Sequence, residues 1–136
     1  MSDHEHSVMV LAMARKDLKA LSAMLDAGTF DDEIFGFHAQ QTAEKALKAW
    51  LSLVGVEYPK VHDLDELMAT LADHGVPVPE QFSELAELTD FAVQFRYEAF
   101  ESLGEEMDRS KVLKQLTDLV AYVTEVLARS RPSDAR

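Results

Sequence analysis

The chain has 136 residues, a formal net charge of −12 and no cysteine. That length favours one domain, able to bury roughly two thirds of the surface its unfolded form exposes. The missing cysteines exclude a disulfide framework, a thiolate metal site and a cysteine nucleophile, and the acidic balance opposes nucleic acid as a whole.

The opening MSDHEHSV lacks the basic start and apolar core of a signal peptide. No apolar run approaches the ~18 residues of a membrane span, so a soluble, cytoplasmic protein without a membrane partner is expected. His4 and His6 fall in what reads as a mobile end. A first helix is predicted over about residues 7 to 27. Val10, Leu11, Ala14, Leu18, Leu21 and Leu25 line one face, and Gly28 stops it. Met9, Met13, Ala20 and Met24 occupy a neighbouring arc. That extra apolar width reads either as a deeply buried helix or as a contact with another subunit.

Asp31 and Asp32 suit the positive end of a second helix, which runs to about Val54 and closes at Gly55. Phe35, Ala39, Ala43, Ala46, Leu47, Trp50 and Val54 share one face; His38, Gln41, Lys45, Lys48 and Ser52 share the other. Pro59 cannot continue a helix. A short third helix starts near His62 or Asp63 and ends before Gly75. After the stiff VPVP connector a fourth begins near Glu80, with Phe82, Leu85, Leu88, Ala92, Phe95 and Ala99 at core spacing. It breaks near Gly104. A fifth carries Val112, Leu116, Leu119, Val123, Val126 and Leu127. Residues 131–136 read as a disordered tail, leaving one helical domain over 1–130. The expected fold is all-α, an antiparallel up-down four-helix bundle with one additional short helix.

The glycines read as scattered helix-end residues, which excludes a glycine-rich phosphate loop. His62 and Asp63 with Asp65 and Glu66 lack the spacing of a strong metal site, and capping explains them. The basic groups Arg15, Lys16 and Lys19, then Lys45 and Lys48, then Arg109, Lys111 and Lys114 have acids beside them, including Asp17, Glu44 and Asp108. They read as ion-paired helix surface. Two features go further. Gln40 and Glu44 lie in one row bordering the alanine face of the second helix, and a partly buried carboxylate there needs a cation. Arg96, in the run VQFRYEAFES, is the expected partner because guanidinium pairs with carboxylate bidentately. The alternative is a guanidinium aimed at phosphate. A mixed arrangement is expected, with Arg96 as a strut whose outer nitrogens line a cleft between subunits.

FHAQQTAEKALKAWL, then KVHDL, then FAVQFRYE, following the Ala14 to Leu18 pattern of the first helix, resemble the HEPN family (higher eukaryotes and prokaryotes nucleotide-binding). The resemblance covers about residues 8 to 127. It implies a dimeric helical bundle. Many members are ribonucleases whose motif is an arginine followed, after four to six residues, by histidine; others lack the histidine and accompany a minimal nucleotidyltransferase. Arg96 matches the motif arginine, but Glu101, Ser102 and Leu103 stand where histidine belongs, and all five histidines precede Arg96. Acid–base work near neutral pH relies on histidine. The resemblance therefore implies a non-catalytic homodimer without cofactor or metal. It would partner a nucleotidyltransferase in a two-component, toxin–antitoxin-like system, with nucleotide or RNA bound near Arg96, Tyr97, Lys45 and Lys48. The alternative is a divergent metal-independent ribonuclease toxin using Arg96 and Glu101.

Overall fold

A computed structural model describes residues 3–58, 62–91 and 107–130. Among them regular structure is helical throughout: α1 Asp3–Ser22, α2 Asp32–Leu53, α3 Leu64–Asp73, a 3₁₀ helix Glu80–Leu88, and α4 Arg109–Arg129. The fold class is all-α, as expected. Arg96, Tyr97, Glu101 and the tail 131–136 lie outside the described residues.

α2 is the central element. Thirteen of its 22 residues are buried, and it packs on α1, α3, the 3₁₀ helix and α4. Its alanines explain the close fit: Ala39, Ala43, Ala46 and Ala49 are fully buried and let neighbouring backbones approach. Ser7 Oγ of α1 donates to Ala49 O at 2.7 Å, and Lys45 of α2 pairs with Asp17 of α1. Early α1 therefore meets late α2, and the two run antiparallel. The second face of α2 is covered too, since Ser52 is buried and His38, Gln41, Lys45 and Lys48 are partly so.

Both boundaries of α1 differ from the sequence reading. α1 begins at Asp3 and ends at Ser22, so His4 and His6 are helical rather than in a loose end. Its stop is not Gly28. Leu21 and Ala20 carbonyls close the last turn with Met24 and Ala23 N–H, and Asp26 then gathers the connector. The Thr29 hydroxyl and Gly28 N–H donate to the Asp26 carboxyl at 2.7 and 2.9 Å and hold its pKa below the ordinary value.

The segment from Glu80 is 3₁₀ rather than α through Leu88. Phe82, Leu85 and Leu88 are buried and recur every third residue. That spacing places all three on one face of a helix with three residues per turn.

Gly36, read as one of the helix-end glycines, sits inside α2. A Cβ there would lie 2.3 Å from Cδ1 of Phe91, so the missing side chain is the space the ring occupies. Gly55 and Gly75 do end helices, with φ of 79° and 82°, the left-handed geometry glycine adopts without strain.

Candidate functional site

Glu44 is the centre of a buried polar cluster. α2 carries it at the row predicted with Gln40, and the residue is 6% exposed. Its Oε1 accepts from Gln40 Nε2 at 2.9 Å and lies 2.9 Å from His62 Nδ1. Its Oε2 accepts from Lys48 Nζ at 2.9 Å. Gln40 Nε2 also donates to the His62 carbonyl at 3.0 Å, and Gln41 Nε2 donates to Gln40 Oε1 at 2.8 Å. Burial pushes the Glu44 carboxyl up, but hydrogen bonds from Lys48, Gln40 and His62, with the Lys48 charge, outweigh it and hold the pKa below its ordinary value.

The neighbourhood continues outward. Lys48 Nζ lies 5.4 Å from the centre of the Tyr58 ring. The Tyr58 hydroxyl is 3.1 Å from His6 Nε2, and the two rings stack at 25° with centroids 6.4 Å apart. One cluster thus joins α1 through His6, α2 through Glu44 and Lys48, and the connector before α3 through Tyr58 and His62. His62 stands at the rim, with 43% of its side chain exposed.

The cluster separates the two lysine candidates. Lys48 belongs to it. Lys45 turns to α1, where its Nζ is 2.5 Å from Asp17 Oδ2. Glu44 has its cation in Lys48; its expected partner Arg96 lies outside the described residues. Asp63 is an N-cap, accepting from Asp65 N at 2.9 Å and Glu66 N at 3.4 Å, which is the capping role expected. Among the described residues no three or more histidines, cysteines and acids converge as metal ligands.

Sequence reasoning missed two residues. His62 was read as part of a helix start, and the signal that could have found it is the amide and carboxylate row facing a loop histidine. Arg109 was read as surface. It is 6% exposed, donates to the Met24 and Phe30 carbonyls at 2.8 and 2.6 Å and to Asp32 Oδ1 at 2.8 Å, and lies 5.1 Å from the centre of the Phe35 ring. It ties the connector after α1 to the starts of α2 and α4. Lys111 and Lys114 behave as expected, pairing with Glu84 and Asp118 at the surface, whereas Arg15 donates to the Thr124 hydroxyl.

The model of one family, described as the HEPN domain, matches residues 8–129. No curated protein and no solved structure matches the chain.

Proposed function

The chain belongs to the HEPN family, and from that premise we propose a non-catalytic, homodimeric nucleotide- or RNA-directed interaction module that works with a minimal nucleotidyltransferase in a two-component system. The observation that carries the reading is the position of the histidines. They stand at 4, 6, 38, 62 and 74, so none follows Arg96. Acid–base cleavage of RNA at neutral pH needs a group that titrates there, and the family's motif has lost it. The net charge of −12 also disfavours a long polyanion.

The up-down bundle with one added short helix is part of this reading. It is supported by the antiparallel course of α1 and α2. It is supported again by α1 and α4, where Arg15 Nη2 donates to Thr124 Oγ1 at 2.8 Å while Arg109 reaches back to Met24. The homodimer is supported by α1: of the arc Met9, Met13, Ala20 and Met24, the first two are 53% and 49% exposed. The deeply buried alternative therefore loses its ground at these positions. No described helix is long and apolar enough to cross a membrane, which fits an aqueous setting; we place the protein in the cytoplasm.

The test is a native pull-down read for both protein and nucleic acid, beside an RNA-cleavage assay at neutral pH without metal. Recovery of a small nucleotidyltransferase with no cleavage is expected. Reproducible cleavage lost in Arg96→Ala overturns the non-catalytic reading in favour of the ribonuclease.

A further inference from the structure

We propose that the outer face of α1 docks a second copy of this chain with the two α1 helices antiparallel, in the register that sets Glu5 of one copy against Lys16 of the other. The proposal rests on the homodimeric reading above and adds its direction and register.

Helical spacing divides α1 into two sides. Leu11, Ala14 and Leu21 are buried against the bundle. On the other side Glu5, Met9, Ala12 and Lys16 recur at intervals of four, three and four residues, which is the spacing of one seam along a helix. Glu5, Met9 and Lys16 are exposed and Ala12 is partly so. Val8 and Met13 flank the seam, also exposed. The charged neighbours of Lys16 are engaged within the bundle: Arg15 donates to Thr124 Oγ1, and Asp17 pairs with Lys45. Lys16 itself makes no ion pair among the described residues.

Two arguments commit this face to a copy of the same chain. The first is charge complementarity. An acid stands at one end of the seam and a base at the other, with the apolar residues between them. Glu5 with Lys16, Met9 with Ala12, and Val8 with Met13 are three pairs that share one midpoint, between residues 10 and 11. A twofold axis across α1 at that point sets acid opposite base twice and keeps the apolar residues in the centre. Parallel helices would instead set Glu5 on Glu5 and Lys16 on Lys16, a repulsive pair at each end. The pairing does not require that Glu5 lack contacts inside its own chain. It requires an exposed carboxylate level with the opposing ammonium.

The second argument is the charge of the surroundings. From His6 to Leu25 the sequence carries Arg15, Lys16 and Lys19 against Asp17 alone, a formal +2 in a chain at −12. Two acidic molecules meet least repulsion along such a stretch. The short side chain of Ala12 lets the two backbones close up at the middle of the seam.

The experiment uses the full-length protein, whose lack of cysteine means that an introduced thiol reports alone. Glu5→Cys and Lys16→Cys are oxidised separately and as a mixture. Positions 5 and 16 lie about 16 Å apart along the helix at ~1.5 Å per residue, beyond the reach of a disulfide. The antiparallel register therefore gives a cross-linked dimer from the mixture and little from either variant alone. Charge reversal supplies a second readout, by sedimentation at low salt. Glu5→Lys and Lys16→Glu should each weaken the dimer by about tenfold, because a symmetric dimer loses two attractive pairs and gains two repulsive ones. Both substitutions in one chain restore opposite charges and should recover most of the loss. The helical signal and unfolding curves check that each variant is folded. Cross-linking of each variant with itself overturns the antiparallel direction. A wild-type dimer whose mixture gives no cross-link overturns this register while leaving the homodimer intact. A wild type that stays monomeric at micromolar concentration overturns both.

Discussion

Arg109, the first residue of α4, holds Nη2 at 2.8 Å from Oδ1 of Asp32, the first residue of α2. A cation at a helix N-terminus opposes the macrodipole. Here the cost is offset from the neighbouring helix. Asp32 supplies the charge, the Met24 and Phe30 carbonyls take further N–H groups, and the Phe35 ring lies 5.1 Å below. The guanidinium thereby fixes where three segments of the chain meet.

Arg109→Ala should destabilise the fold by about 3–5 kcal/mol, because it strands buried acceptors and an opposing charge, and should lower Tm by about 10 °C. Arg109→Lys should fall between, since an ammonium cannot span two carbonyls and a carboxylate while lying over a ring. Asp32 is more exposed, so Asp32→Asn should cost less. Thermal unfolding of the singles and the double variant checks the pairing: the double must lose less than the sum. A loss under about 1 kcal/mol in Arg109→Ala would contradict a buried strut.

Gly36→Ala tests the contact between α2 and Phe91. In an ordinary helix interior alanine stabilises by about 0.5–1 kcal/mol over glycine. Here the new methyl meets the ring at 2.3 Å, so a loss of about 1–3 kcal/mol is expected. Combining it with Phe91→Leu should recover part of that loss. A stabilised single variant would mean the ring moves aside freely.

What the sequence disclosed follows from where the signal resides. The Asp63 cap, the glycine stops at 55 and 75, and the three-residue rhythm of Phe82, Leu85 and Leu88 are local, and all appear at those positions. The 3₁₀ pitch escaped because a spacing of three also suits one face of an α-helix. Arg109 escaped for another reason. Its run, Asp-Arg-Ser-Lys, looks like solvated surface, and two of its partners are backbone carbonyls that leave no trace in residue type. Half of the candidate site was legible. Gln40 and Glu44 share the helical row read from the sequence, but Lys48, placed on the opposite face, reaches Glu44 across one turn, and the return of the chain that brings His62 onto Glu44, 18 residues away, is a tertiary event.

Glu44 gives a pH dependence with a definite sign. Its folded pKa lies below the ordinary value of 4.5. The network therefore contributes full stability above the unfolded pKa and loses it as pH falls through the folded one. Glu44→Gln removes that titration. Stability measured from pH 7 to pH 3 should fall less steeply in Glu44→Gln than in wild type, so the difference between the two narrows in acid. A difference that stays constant over that interval would show that Glu44 titrates alike in both states.

The last prediction concerns assembly. Met9 and Met13 are one helical turn apart on α1 and are both about half exposed. Val8, beside them, is 42% exposed. None is near the buried line of Ser7, Leu11, Ala14 and Leu21 that faces α2 and α4. Substituting them should therefore disturb the monomer little, with less than about 0.5 kcal/mol of stability lost per site. An interface between copies would respond differently. A charge placed in the centre of an apolar contact is desolvated without a partner, and in a symmetric dimer each substitution acts twice. Sedimentation of the wild-type chain at micromolar concentration should give twice the chain mass, and Met9→Glu with Met13→Glu should give the monomer with its helical signal intact. A wild type that remains monomeric across that range removes the dimer. A double variant that remains dimeric moves the interface away from this face of α1.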